Sequence, residues 1–289
     1  MIVLDGAMGT ELERRGVNTK LPLWSAIALD AAPDVVERIH CEYLAAGAQV
    51  ITANTFRTNL RALRKAGIAH RARELTRRAV ALAQRARQAH PAPDKILIAG
   101  SIAPVEDCYA PELVPDEADL LEEHTILANY LADAGADLLL IETQNTIREA
   151  VAALRAARAT GRPAWVSFTL NAENQLLSGE SLSDAVHAVL PWQPQAVLIN
   201  CLPVSQTAAA VRELRALVPA DIPIGAYANA GRMDESGQWT MEGGVSPGDY
   251  ADAAREWRAL GATIIGGCCG TTPAHIEALA RQMCEGQSG

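Results

Sequence analysis

The sequence predicts a single-domain α/β chain folded as a (β/α)8 TIM barrel, on three observations. Short apolar, often β-branched runs alternate with helix-length segments from one end to the other; there are eight such runs; and no linker rich in Pro, Gly or Ser divides the series. Parallel strands need a crossover helix and the crossovers share one hand, so eight units in 289 residues are expected to close into a barrel. A doubly wound open sheet is the other arrangement the same elements allow. The barrel is expected over residues 1–284, with 285–289 as a C-terminal tail.

The strands are expected at 2–4, 50–52, 96–99, 138–141, 164–168, 196–199, 224–227 and 263–265. The helices are expected at 33–46, 60–89, 116–134, 146–157, 205–217, 247–260 and 273–283. Several helices start with Asp, Ser or Thr before a proline or an acid, which can cap the first turn. Several stop at glycine, as at Ala46-Gly47, Ala134-Gly135 and Leu260-Gly261, where a left-handed residue can turn the chain into the next strand. This repeated Ala-Gly-Ala or Leu-Gly-Ala phrase is loop chemistry and not a sign of duplication.

A chain that is 49% hydrophobic can bury one large core. Its formal charge of -9 argues against nucleic acid as a partner. The charge is uneven: between Arg57 and His90 there are ten Lys or Arg and one acid, Glu74. Such a stretch is either a solvated helix face or a docking surface for an acidic partner. Asp5 interrupts the N-terminal apolar run before a signal-peptide core can form, and no run reaches membrane-spanning length. Six cysteines without a secretory signal point to a reducing compartment, so a cytoplasmic location is expected. There, thiols more often bind metal or react than pair. Cys41 reads as a small core residue on a helix, and neither Cys41 nor Cys108 has a Cys or His neighbour at ligand spacing.

In a barrel of this kind functional groups gather where strands end and the following loops begin. The first strand delivers Asp5, Gly6 and the loop through Gly9-Thr10; the second delivers Asn54, Thr55 and Phe56; the fourth delivers Glu142-Thr143. The sixth gives Asn200-Cys201, the seventh Asn229-Ala-Gly231, and the eighth Gly266-Gly-Cys-Cys-Gly270. Three thiols at one rim, Cys201, Cys268 and Cys269, can converge on a divalent ion and leave a coordination position open for a substrate. Buried small hydrophobes are the other reading of a vicinal pair. Gly266, Gly267 and Gly270 favour the metal, because they would let the backbone turn sharply so that both sulfurs face one point. Three thiolates on a dication make a net anion, a weak acid toward water but well suited to deprotonating another thiol while keeping its sulfur nucleophilic. Thiol alkylation is therefore expected, and not hydrolysis.

Leu4-Asp-Gly-Ala-Met-Gly-Thr-Glu-Leu, Thr52-Ala-Asn-Thr-Phe, Asp137-Leu-Leu-Leu-Ile-Glu-Thr, Ile199-Asn-Cys, Tyr227-Ala-Asn-Ala-Gly and Gly266-Gly-Cys-Cys-Gly-Thr-Thr-Pro occur in order across nearly the whole chain. Together they resemble the homocysteine S-methyltransferase family, zinc-dependent (β/α)8 barrels that move a methyl group from a donor to homocysteine. The resemblance implies a Zn2+ ion on Cys201, Cys268 and Cys269. It further implies that the Asn229 side-chain oxygen closes the resting metal site until the acceptor thiol displaces it. Glu142, assisted by Asp5, would hold the homocysteine ammonium, and backbone N–H groups of Gly6, Ala7 and Met8 its carboxylate. Thr55 and Phe56 would line the same pocket. Trp24 would lie near an onium donor, whose cation an indole face attracts.

S-methylmethionine or S-adenosylmethionine is the expected donor, so the partners are small molecules. Betaine-using relatives carry tyrosines where this chain has Thr143 and Arg57, which leaves an aromatic cage incomplete. The last motif also resembles the homocysteine half of cobalamin-dependent methionine synthase, whose other regions 289 residues cannot hold; such a chain would act with a separate cobalamin protein. A barrel with a structural zinc and a vicinal-thiol redox protein are the readings of other classes.

Overall fold

The computed structural model describes residues 1–233, 239–240 and 243–285. Eight parallel strands form one sheet: β1 (Ile2–Val3), β2 (Val50–Ala53), β3 (Leu97–Ile102), β4 (Leu138–Gln144), β5 (Ala164–Phe168), β6 (Ala196–Pro203), β7 (Ile224–Asn229) and β8 (Ala262–Gly267). Each strand pairs with its neighbour in sequence from β2 to β8, and β8 pairs with β1. A single parallel bridge, Leu4 to Val50, brings β1 against β2 and closes the ring. Around that seam Asp5 N–H donates to the Val50 carbonyl at 2.9 Å and Gln49 N–H to the Val3 carbonyl at 2.8 Å. The closed barrel, and not the open sheet, is the observed arrangement.

The strands are apolar on both faces, as strands covered on both sides must be. Leu4, Val50, Ala99, Leu138, Leu140, Trp165, Leu198, Tyr227 and Ile264 point inward and fill the barrel. Ile51, Ile98, Leu139, Ile141, Val166, Val197, Ile199 and Ile265 point outward against the helices. The two-residue period thus sets the inner file of each strand, and continuing it carries Ser101, Glu142, Asn200, Tyr227 and Asn229 into the mouth of the barrel.

The helices are α1 (Gly9–Arg14), α2 (Ala28–Ala31), α3 (Pro33–Ala45), α4 (Leu60–Lys65), α5 (Ala72–Ala89), α6 (Glu117–Ala134), α7 (Ile147–Ala159), α8 (Leu182–Val189), α9 (Val204–Leu217), α10 (Pro247–Ala259) and α11 (Pro273–Glu285). Asp116, Thr146, Ser181 and Ser246 each cap a helix by accepting the backbone N–H three residues on. Each such cap contributes about 1 kcal/mol. The glycines expected to stop helices, Gly47, Gly135 and Gly261, all have positive φ, at 102°, 88° and 104°.

Three expectations need correction. The helix expected over 60–89 is broken: α4 ends before Gly67 at φ 75°, and Ile68 N–H turns back to the Leu63 carbonyl at 2.8 Å before α5 begins. No helix was expected between the fifth and sixth strands, where α8 stands. Its signal was short, the cap Ser181 with Asp184 three residues later. Strands β3, β4, β6, β7 and β8 run past their apolar runs at the C-terminal end, because the polar rim residues still belong to the ladder. The expected tail, 285–289, lies outside the described residues except for Glu285, the last residue of α11.

The basic stretch is largely paired with its own surroundings. Arg71 and Arg78 meet Asp30, Arg73 meets Asp133, Arg85 meets Glu37, and Arg87 meets Asp137. Exposed pairs of this type contribute little to stability individually. They describe a solvated face stitched to neighbouring helices. Among the described residues no helix is long and apolar enough to cross a membrane.

Candidate metal and amino-acid site

Cys201 follows the inward-facing Asn200, so strict alternation would turn its side chain toward the helices. The backbone prevents this. Cys201 adopts φ 58°, and the β6–β7 register shifts between Asn200 and Pro203, so two successive side chains serve the barrel mouth. Thr143 on β4 does the same at φ 59°, where the β4–β5 register shifts between Ile141 and Gln144. Left-handed residues other than glycine cost about 1–3 kcal/mol and persist only when their surroundings hold them. Asn200 does the holding. Its Oδ1 accepts from Thr143 N–H at 3.0 Å and Ser167 Oγ at 2.7 Å, and its Nδ2 donates to Thr143 Oγ1 at 2.8 Å and faces Cys201 Sγ at 3.4 Å.

Cys268 and Cys269 follow β8. The sulfurs of Cys201, Cys268 and Cys269 all lie within 4.8 Å of one another, with Cys201 Sγ and Cys268 Sγ hydrogen-bonded at 2.6 Å and not joined by a disulfide. Only one of the three glycines acts as expected. Gly270 turns the chain at φ 81° and donates to Thr10 Oγ1 at 3.0 Å. Gly266 and Gly267 are needed for close packing instead: a Cβ at the first would meet the Asp5 carbonyl at 2.9 Å, and one at the second the Thr271 Cβ at 2.7 Å.

The three thiols do not titrate alike. Hydrogen bonds from Cys201 and Cys269 pull Cys268 well below the usual thiol range. The bond to Cys268 pushes Cys201 well above it, with burial adding to the effect. Cys269 is also pushed up: its bond with Cys201 works downward, but the bond to Cys268 and burial outweigh it. Cys268 is thus the thiol most ready to ionise, and a divalent cation is what would let all three sulfurs do so. Three convergent soft donors beside an open cleft fit such an ion.

Asn229 sits between the thiol-bearing segments. Its Oδ1 accepts from Cys269 N–H at 3.0 Å and its Nδ2 donates to the Cys201 carbonyl at 2.9 Å. The amide thus ties the β6 and β8 ends together, and its oxygen already has a backbone donor.

Beside the thiols lie two buried carboxyls. Ser101 Oγ donates to Glu142 Oε1, and the Tyr227 hydroxyl is 3.4 Å from Oε2. Burial pushes Glu142 up to about 8, with the Ser101 bond opposing. Asp5 receives Thr52 N–H at 2.7 Å and Thr52 Oγ1 at 2.9 Å, one on each oxygen. Burial pushes it up to about 7 against those two bonds. Both carboxyls bind protons more tightly folded than unfolded, so their contribution to stability is greatest below about pH 4 and is lost as the pH rises through about 7 to 8. A cation brought between them would reverse this.

The Gly6–Met8 turn is held by Tyr43, whose hydroxyl donates to the Ala7 carbonyl at 2.8 Å, and by Thr271 Oγ1, which accepts Ala7 N–H at 3.1 Å. Of the three N–H groups expected to receive a carboxylate, that of Ala7 is therefore already engaged. Those of Gly6 and Met8 meet no acceptor among the described residues.

These groups line one cleft of about 1280 Å³, and Gly6, Ala7, Met8, Trp24 and Phe56 line it too. Trp24 meets Phe56 edge to face, with ring centroids 5.5 Å apart. Thr55 does not belong to the wall. It is fully buried and its hydroxyl donates to the Ser101 carbonyl at 2.8 Å, so it fastens β2 to β3. Ser101, Cys108 and Tyr109 are among the cleft residues not expected from the sequence, where no residues are collected from the ends of the third and fifth strands. Ser101 lies on β3 beyond the apolar run, and Cys108 and Tyr109 lie in the loop that follows. Tyr109 is 45% exposed and stands at the open side of the cleft. That loop is anchored by Glu149, whose Oε1 accepts Val105 N–H at 2.8 Å and meets His124 Nε2 at 3.1 Å, all buried.

Comparison with known proteins follows the same lines. A family model described as homocysteine S-methyltransferase matches residues 2–283. The homocysteine S-methyltransferase of Escherichia coli (strain K12) is 36% identical, over 96% of this chain and 94% of that protein. Homocysteine S-methyltransferase YbgG of Bacillus subtilis (strain 168) is 31% identical, over 97% of this chain and 93% of that one. Among solved structures, the metallated form of the homocysteine methyltransferase MmuM from Escherichia coli superposes with a TM-score of 0.85 at 32% identity, covering 98% of this chain and 96% of that one.

Proposed function

The chain belongs to the homocysteine S-methyltransferase family, and from that premise we propose that it transfers a methyl group from an onium donor, S-methylmethionine or S-adenosylmethionine, to the thiol of homocysteine, giving methionine. The observation that carries this reading is the convergence of three thiols beside a buried carboxyl pair in one cleft. Cys201, Cys268 and Cys269 would hold a zinc ion. When bound, that ion acidifies the acceptor thiol while leaving its sulfur electron-rich.

The rest falls to the chain's own residues. Glu142, with Asp5, receives the ammonium of homocysteine, and the Gly6 and Met8 N–H groups receive its carboxylate. This places the acceptor sulfur at the thiol cluster. Asn229 ties the two cysteine-bearing strand ends together, and Asn200 holds the turn that aims Cys201 at the cleft. Trp24 and Phe56 form an apolar wall on which the donor's cation can rest. The new S–C bond forms as the donor's C–S bond breaks, and the leaving sulfur keeps the electron pair as a neutral thioether. Attack removes a positive and a negative charge together, so exclusion of water favours it. A single barrel acting on small molecules in a reducing cytoplasm is the setting these residues suit.

The test is direct. Purified protein with zinc, homocysteine and each donor in turn is expected to yield methionine. The same protein after chelation, with its metal content measured and its fold checked by circular dichroism, is expected to lose nearly all of that rate and to regain it with added zinc. Full activity in folded, metal-free protein would refute the metal part of the reading.

A further inference from the structure

The cleft contains a buried cation for which the scheme above has no use. Arg57, in the loop after β2, is only 7% exposed. Its Nη1 donates to the Glu106 carbonyl at 2.7 Å and its guanidinium lies 5.6 Å from the centre of the Phe56 ring. Its Nε is buried without a hydrogen-bond partner, and among the described residues no carboxylate lies within ion-pair distance of it. The nearby acid, Glu106, is already paired with Lys65 and Arg61. A guanidinium removed from water without a counter-ion is unfavourable, so this position suits an anion that arrives from outside.

Its place in the cleft says which anion. The thiols, Glu142 and Asp5 are borne on the strands or immediately beyond them, at the depth where the acceptor is held. Phe56 and Arg57 are borne on the loop after β2 and Trp24 on the short 3-10 helix Trp24–Ile27; they line the same cleft past the strand ends, where the second substrate would lie. A lone onium would be repelled by a guanidinium so near. An onium that carries its own carboxylate would not, because it can set its cation on the aromatic wall and its anion on Arg57. Resting on the reading above, we infer that Arg57 binds the carboxylate of the methyl donor and so selects zwitterionic onium donors over simple onium cations.

The experiment compares S-methylmethionine with its decarboxylated counterpart, 3-aminopropyl-dimethylsulfonium, in the zinc-loaded parent protein and in Arg57→Met and Arg57→Lys. In the parent, S-methylmethionine is expected to be preferred by about 10- to 100-fold in kcat/KM, the range of a hydrogen-bonded charge pair. Arg57→Met is expected to raise the donor KM by a similar factor, to abolish the preference, and to leave the homocysteine KM within about twofold; Arg57→Lys recovers part of the preference. A parent that uses both sulfonium compounds equally, or a variant whose homocysteine KM rises instead of the donor KM, overturns the assignment. An unchanged homocysteine KM in the variants also shows that the cleft has kept its fold. A parent that methylates homocysteine from no onium donor refutes the underlying reading and the inference with it.

Discussion

Replacing Cys268 with alanine is expected to empty the thiol cluster of metal and to lower methyl transfer by well over a hundredfold. Loss of a group that merely orients a metal ligand commonly costs 10- to 100-fold, and loss of the ligand itself must exceed that. Cys268 is the sharpest case of the three, because its sulfur is the acceptor of both neighbouring thiols and so the first to ionise. Without it two reluctant thiols remain, Cys201 and Cys269, both pushed above their usual range. The measurements are bound zinc per chain and the rate of methionine formation. The control is Cys41→Ala on α3, a residue outside the cleft, which should keep its metal. Stoichiometric zinc in Cys268→Ala would remove the cluster from the mechanism.

The second large effect is expected at Glu142. Glu142→Gln keeps the shape and the Ser101 and Tyr227 neighbours but removes the charge that an ammonium needs. A hydrogen bond to a charged group contributes about 1.5–3 kcal/mol, so the homocysteine KM should rise roughly 10- to 150-fold. The pH dependence carries a sign that can be tested separately. In the empty site Glu142 holds its proton up to about pH 8. The affinity for homocysteine should therefore increase with pH from 6 toward 8, as the carboxylate becomes available, and level off above that. Glu142→Gln should flatten this limb. It should also leave the unliganded protein at least as stable at pH 8 as the parent, since the buried charge is gone. A steep loss of stability in this variant at pH 8 would mean that the carboxylate is satisfied in a way the geometry does not reveal.

Much of this site was legible because a barrel turns a one-dimensional list into a ring. Once eight apolar runs were read as parallel strands, the residues at their ends had to share a rim, and Cys201, Cys268, Cys269, Asp5, Glu142 and Asn229 could be collected without knowing a single distance. The same rule explains the omissions. Ser101 was missed because the end of its strand was placed where the apolar residues stop, whereas β3 continues in ladder through Ile102. Thr55 was misplaced because a residue just past a strand may face either the cleft or the next strand, and only the hydrogen bond to Ser101 decides. The left-handed turns at Thr143 and Cys201 were not readable at all. Neither residue type advertises that conformation, and what permits it, the Asn200 side chain, acts through space between β4 and β6.

The barrel closes at a narrow seam, where β1 is two residues long and meets β2 through one bridge. The turn proposed to receive the amino acid's carboxylate begins two residues beyond that bridge. A bound amino acid would reach from this first stave to the fourth, sixth and eighth, and would act as a hoop on a cask whose one loose joint lies beneath it. Occupancy should accordingly slow amide hydrogen exchange at Leu4 and Asp5 more than at residues in the middle of β5, which lies across the ring from the joint.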